Sequence, residues 1–396
     1  MKNILILNPY LSTLGGGEKA MGYFCRSLEE YYRNDVKIEI LVFNTYGVNV
    51  FADDYIEVKD LNRRFAIQLK KTYIKKIDLP IPQNWKETVK NKHQIEKISK
   101  GYDIFVNFMF LSKHIGHAKT NIYHCFFPPQ KYIKEQKGRG KALGLIYDLM
   151  FLIKYDKYIS NSQYTNHWLA EFWKLHRRTV VIYPPVFSDK ERKGRYEESE
   201  KKNIILSVGR FFVGTHSKKQ LDMVRFFSEN TDKFKDYEYH LVGSVSERKV
   251  DLAYLEQVQE AAGQVENIHI HVNCAYEELM KLYREAKIFW HATGYGIDEN
   301  KEPEKMEHFG ITTVEAMSYG AVPVVINKGG QKETVKEGVN GFRWDTQEEC
   351  ADKTYKLIKD DRLRKQMAEE AVKNAGKYSI EEFDRRNREV FHELGI

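Results

Sequence analysis

Two glutamates, Glu307 and Glu315, stand eight positions apart in the stretch "EHFGITTVEAM", around a Phe-Gly and a pair of threonines. Carboxylates that share one reacting sugar carbon lie about 5–9.5 Å apart. Eight residues of continuous helix rise about 12 Å and turn the two acids onto different faces. The spacing argues against a hydrolase dyad and suits the two ends of an extended ligand. Thr312 or Thr313 can cap a helix that runs on through Val314, Ala316 and Met317. Gly310 lets backbone approach a ligand closely. Free N–H groups over 309–312 can then face an anion, helped by the helix dipole. An ordinary amphipathic helix with two solvated acids satisfies the same spacing.

Two further stretches carry phosphate chemistry. In "LSVGRFFVGTHSKKQLDMV" a strand runs into a loop holding Arg210, Lys218 and Lys219. Arginine offers a fork for phosphate oxygens and lysine a point charge; a solvated basic loop is the plain alternative. In "LGGGEKAMGYF", Gly15, Gly16 and Gly17 follow the first strand and precede a helix. That is a phosphate-cradle layout without the GxGxxG spacing of dinucleotide folds, and a flexible turn reads equally well.

The elements that must position these residues are short apolar runs alternating with longer amphipathic ones. The first half offers "NILIL", "KIEILVF", "YDIFVNF", "TNIYHCF", "KYISNS" and "VVIYPPV". The second offers "KNIILSVG", "YEYHLVG", "NIHIHVN", "AKIFWHA" and "AVPVVIN". Runs apolar on both faces predict parallel strands covered by helices. The pattern restarts near residue 190, between Pro184-Pro185 and the charged "SDKERKGRYEESEKKN", which marks a domain boundary. The chain has 396 residues, 42% of them hydrophobic, more than one core comfortably holds. The expectation is α/β with two doubly wound domains facing across a cleft, ligands lying at the carboxyl ends of the strands.

Composition bounds the partners. The net charge of +7 is modest for this length, and the basic residues are spread, which disfavours nucleic acid and favours an anionic small molecule or membrane surface. The four cysteines, Cys25, Cys125, Cys274 and Cys350, form no CxxC, so neither a disulfide framework nor a zinc site is expected, and a reducing cytoplasm fits. "MKNILILNPY" is too short in its apolar run for a signal peptide. "ALGLIYDLMFLI", broken by Asp148, is too short to span a bilayer.

Taken together, the motifs resemble the GT-B retaining glycosyltransferases of group 1, also called GT4, over nearly the whole chain. The signature is Glu307 to Glu315 in "EHFGITTVEAMSYGAVPVV". "NKGGQKETVKEGVNGFRW", "SNSQYTNHWL" with "VIYPPV", and "NCAYEELMKLYREAKIFWHAT" are similar to the family's flanking segments. "EHFGITTVEAM" is most like the branch of lipid-linked oligosaccharide mannosyltransferases. The resemblance implies that Glu307 holds donor-sugar hydroxyls and that backbone amides of Phe309, Gly310, Ile311 and Thr312 meet sugar and phosphate. It implies that Glu315 binds the ribose, and that Arg210 and Lys219, or Lys218, neutralise the diphosphate. Gly16 and Gly17 match the glycine loop near the diphosphate, His124 a histidine reaching the donor sugar, and Asn273 and Cys274 the strand end at the base. It further implies domains over 1–187 (acceptor side) and 188–375 (nucleotide sugar), with 376–396 a helix packing back on the first. No Asp-x-Asp motif stands in a matching place; "ADDY" and "KDDRL" read as solvated loops. The expectation is no metal and no cofactor, the nucleotide sugar being a co-substrate.

For the acceptor, "NRRFAIQLKKTYIKKIDL" (62–79) puts Phe65, Leu69, Tyr73 and Ile77 on one helical stripe, with Arg64, Lys71 and Lys75 off it. "KYIKEQKGRGKALGLIYDLMFLIKY" follows a similar logic. Basic amphipathic segments can lie on anionic membranes or simply pack inward. The working expectation is a lipid-linked or polysaccharide acceptor for surface glycan, reached by a cytoplasmic protein peripheral on the inner face of the cell membrane. A nucleotide-sugar epimerase of the same fold, or a non-catalytic GT-B partner subunit, are the competing readings.

Overall fold

The computed structural model describes residues 1–11, 15–33, 35–44, 57–131, 139–188 and 196–396. The "ADDY" loop, 132–138 of the second basic segment and 189–195 of the interdomain stretch lie outside the described residues. The chain folds as two units, Met1–Pro185 with Ile380–Ile396, and Val186–Ser379.

The first unit is built on a seven-stranded sheet: β1 (Lys2–Leu7), β2 (Val36–Phe43), β3 (Thr72–Ile77), β4 (Ile104–Asn107), β5 (Thr120–Cys125), β6 (Lys157–Ser160) and β7 (Thr179–Val181). Its order is β3-β2-β1-β4-β5-β6-β7, and every pairing is parallel. Ile4, Leu5, Ile6 and Leu7 are all buried, because helices cover both faces of a parallel sheet. Helix Gly16–Tyr31 follows β1 directly, at the point where the strand order reverses. The last helix, Ile380–Glu393, packs Phe391 edge-on against Phe24 at 5.4 Å and pairs Asp384 with Arg26.

The structure corrects the reading of 62–79 as one amphipathic helix. Helix Val58–Phe65 stops where Ala66 turns left-handed at φ 51°, and Thr72–Ile77 is the edge strand β3. A step of four residues is even, so it keeps Tyr73 and Ile77 on one face of a strand as readily as of a helix. Lys75 and Lys76 suit an edge, where charge discourages further pairing.

The second unit repeats the design with β8 (Lys202–Val208), β9 (Glu238–Gly243), β10 (Ile268–Val272), β11 (Ala286–His291), β12 (Val322–Ile326) and β13 (Phe342–Trp344), in the order β10-β9-β8-β11-β12-β13. These pairings are parallel too. Trp290, Tyr239, Phe226, Phe227 and Phe234 interlock in its core at ring separations of 5.1–6.2 Å. Trp290 also donates to Thr354 at 3.0 Å, so its one polar atom is satisfied where water cannot reach.

Candidate functional site

At the carboxyl end of β11 the last strand residue, His291, points its Nε2 at the Glu307 carboxylate, 3.0 Å away. The Lys218 ammonium reaches the same oxygen, Glu307 Oε2. Burial alone would raise the Glu307 carboxyl; the Lys218 charge and the His291 hydrogen bond outweigh it and hold the group well below the usual range. Burial pushes His291 below its ordinary value despite Glu307. The cluster is thus a neutral imidazole donating to a carboxylate that is already paired with a cation.

Of the two candidate lysines, Lys218 is the one that meets Glu307. Its stem lies over Gly209, where an added Cβ would stand 2.5 Å from Lys218 Cγ. Lys219 adopts φ 59° as the residue before helix Gln220–Glu229, and it is its neighbour Lys218 that makes the ion pair with Glu307. Gln220 ties the loop down by donating to the carbonyls of Gly209 at 3.0 Å and Arg210 at 2.9 Å. Arg210 is exposed, its guanidinium 5.4 Å from the Phe212 ring centre. Burial lowers His216, and the charges of Glu307, Lys218 and Arg210 all act on it; Arg210 therefore belongs to the same neighbourhood.

The helix that follows Glu307 runs over Ile311–Ser318 and is capped by Gly310 at φ 93°, not by Thr312 or Thr313. The reason is the turn: a left-handed residue is needed, and a Cβ at Gly310 would meet Gln331 Nε2 at 2.4 Å. Thr313 is inside the helix and buried. A glycine cap has no side chain to claim the first N–H groups, which leaves those of Ile311 and Thr312 toward any anion. Phe309 is buried edge-on to Tyr378 at 5.1 Å. Glu315 accepts from Tyr283 Oη at 3.0 Å. Asn273 (φ 52°) and Cys274 follow β10, and the Asn273 N–H donates to Gly243 at 3.0 Å.

Three candidates lie in the first unit. Gly16 opens helix Gly16–Tyr31, and the Glu18 carboxylate already accepts the Gly15 N–H at 2.9 Å. A Cβ on Gly17 would touch the Phe126 ring at 3.5 Å, and the same ring lies 5.2 Å from His124. His124 is buried, stacked on Phe108 at 4.2 Å, with neither ring nitrogen hydrogen-bonded. Burial lowers it to about 3.

Sequence reasoning missed His291. Its signal was visible: a histidine ending an apolar strand, at the strand end where α/β sheets gather ligands. In the second basic segment, helix Arg139–Lys154 buries Asp148 against Lys113 at 3.4 Å and exposes Leu145, Ile146, Leu149 and Ile153. Among the described residues no helix is long and apolar enough to cross a membrane.

Solved structures share this architecture. HepE of Anabaena in complex with UDP-glucose superposes over 99% of this chain and 100% of its own, with a TM-score of 0.67 and 16% identity. Sucrose-phosphate synthase from Thermosynechococcus elongatus does so over 100% and 99%, at 0.67 and 14%. The likeness is one of fold, and it defines the class: an α/β protein of two Rossmann-like domains, the GT-B architecture of glycosyltransferases. Residues 188–374 match the family described as "Glycosyl transferases group 1". The "GDP-Man:Man(3)GlcNAc(2)-PP-Dol alpha-1,2-mannosyltransferase" of Mus musculus is 22% identical over 96% of this chain and 85% of its own. "Alpha-1,3/1,6-mannosyltransferase ALG2" of Saccharomyces cerevisiae is 26% identical over 58% and 50%. Residues 188–374 thus match the group 1 glycosyltransferase family, and the chain as a whole is similar to these lipid-linked oligosaccharide mannosyltransferases.

Proposed function

We propose that the protein is a retaining, metal-independent hexosyltransferase that moves a sugar from GDP-mannose or a UDP-sugar to a lipid-linked or polysaccharide acceptor in surface-glycan synthesis. The observation that carries this reading is the meeting of Lys218, His291 and Glu307 immediately before the Gly310-capped helix. As the donor breaks, negative charge grows on the β-phosphate and positive character at the anomeric carbon. Lys218, Arg210 and the helix start near Ile311 supply fixed positive charge for the first, the role a divalent ion has in other transferases. Glu307, kept ionised, takes sugar hydroxyls near the second. Glu315 takes the ribose, and Asn273 and Cys274 approach the base. Retention follows from attack on the face the diphosphate leaves.

The names of the relatives support GDP-mannose and a diphosphate-linked lipid; UDP-glucose bound to HepE keeps UDP-sugars open. The outward apolar residues of helix Arg139–Lys154, with exposed Lys141 and Lys154 beside them, suit an anionic membrane surface and support a peripheral position on the inner face of the cell membrane. The test is nucleoside diphosphate release from GDP-mannose and from several UDP-sugars, with and without acceptor lipid. Acceptor-dependent release supports a transferase; release or isomer formation without acceptor supports an epimerase instead.

A further inference from the structure

The second sheet carries a group of imidazoles and carboxylates that sugar transfer leaves unused. β9 supplies Glu238 and His240, and its parallel neighbour β10, the edge strand, supplies His269 and His271. Each pair is two residues apart and so shares a face, and the register sets His269 opposite His240. One ligand atom from each of Glu238, His240 and His269 lies within 4.8 Å of the other two. Glu238 Oε2 is 3.0 Å from His240 Nε2 and 3.9 Å from His269 Nε2.

The hydrogen bonds around this group have a polarity that can be followed from one end. His271 Nδ1 lies 2.7 Å from Glu278 Oε1; an ionised carboxylate only accepts, so this nitrogen carries the proton. A neutral His271 then offers a lone pair at Nε2, 3.0 Å from His240 Nδ1, which must donate. A neutral His240 is left presenting its Nε2 lone pair to the Glu238 carboxylate at 3.0 Å. Two lone pairs at that distance repel unless a positive species joins them. The chain Glu278–His271–His240–Glu238 is one cation short. A proton or a metal ion completes it, and the convergence of a second imidazole, His269, on the same carboxylate favours the metal.

We propose that Glu238, His240 and His269 form a binding site for a divalent transition metal of the zinc class, with His271 and Glu278 as positioning residues. Two imidazoles and a carboxylate are a ligand set that zinc accepts, at about 2.0–2.2 Å. They are a poor set for calcium or magnesium, which take oxygen ligands. Glu238 and His269 are exposed and half-exposed, so their rotamers can close the remaining distances. His240 would bind through Nε2 while its Nδ1–H stays on His271, the outer hydrogen bond that fixes the tautomer of a ligating histidine. The ion ties the edge strand to β9. β9 and β8 separate β10 from β11, whose end holds His291, so the site stabilises the sheet and takes no part in the transfer. No cysteine is involved, which is why cysteine spacing gave no sign of it.

The test uses the full chain, stripped with a chelator and titrated with zinc against a competing fluorescent indicator, alongside thermal melting. One equivalent should bind and raise the melting temperature. His269→Ala and Glu238→Gln, both at accessible positions, should each weaken binding at least about tenfold, and His271→Ala about 10–100-fold. His176→Ala, in the first unit, should leave binding unchanged. Absence of saturable binding, or equal binding in His269→Ala, Glu238→Gln and the parent, overturns the proposal. So does an NMR spectrum near neutral pH showing His240 doubly protonated with zinc unable to displace the proton.

Discussion

His124 lies near the end of β5 in the first sheet and His291 ends β11 in the second, and both imidazoles are buried. Burial lowers the proton affinity of each. They differ in partners. His124 has aromatic rings on its faces and no hydrogen bond at either nitrogen, whereas His291 donates to a carboxylate that also holds a lysine. The first six strands of each sheet follow the same order. A shared topology therefore supplies strand ends where ligands can sit, and the partners placed there decide whether the chemistry is neutral or ionic.

The largest effect that could break this contrast is expected at the ionic cluster. Glu307→Gln and Lys218→Ala should each cost about 2–4 kcal/mol of transition-state stabilisation, by analogy with oxyanion donors, or roughly thirty- to thousandfold in turnover. Glu307→Gln should leave nucleoside diphosphate affinity nearly unchanged, while Glu315→Gln should weaken that affinity; calorimetry with the product nucleotide separates them. Next comes Gly209→Ala, which pushes the Lys218 stem aside without removing its charge. Misplacement of this kind costs up to about a hundredfold, so turnover should fall between the parent and Lys218→Ala, with the melting temperature showing that the fold survives.

His124→Phe sharpens the neutral side. If the imidazole reaches the donor sugar, turnover falls about tenfold with nucleotide affinity retained, the lower end of what a single polar group contributes. The same variant has a pH signature. The folded imidazole stays neutral down to about 3, while the unfolded one takes a proton near the ordinary value of 6.5. Between those values the unfolded chain binds more protons, so this contribution to stability is lost as pH falls through that window. His124→Phe should flatten the acid limb there in denaturation series. Glu307, depressed below 4.5, loses its contribution only below that value, so Glu307→Gln should leave the slope above it unchanged. The smallest effect is expected for Lys219→Ala, within about threefold, since Lys218 is the lysine that meets Glu307; a loss equal to that of Lys218→Ala would return Lys219 to the diphosphate.

Much of the fold was legible because parallel strands must be apolar on both faces, and "NILIL", "KIEILVF" and "AVPVVIN" show that directly. β3 was not, since the spacing of Tyr73 and Ile77 satisfies helix and strand alike and the strand sits at an edge. Glu307 and Glu315 stood out by type and spacing. The choice between Lys218 and Lys219 depends on a left-handed turn at Lys219 and on the bare Cα of Gly209, and neighbouring identical residues carry no mark of direction. The Gly310 cap was hidden for a related reason: Thr312 and Thr313 are good capping residues, but Gln331, distant in sequence, occupies the space that any side chain at 310 would need.

The central claim is that protein cations rather than a metal ion neutralise the leaving diphosphate. Its most direct measurement is acceptor-dependent nucleoside diphosphate release by the parent, Lys218→Ala and Arg210→Ala, each with and without a strong chelator. The account predicts undiminished release by the parent in chelator and a loss of at least about thirtyfold in Lys218→Ala, with Arg210→Ala also impaired. Release abolished by chelator and restored by magnesium, with both variants near the parent rate, would contradict it.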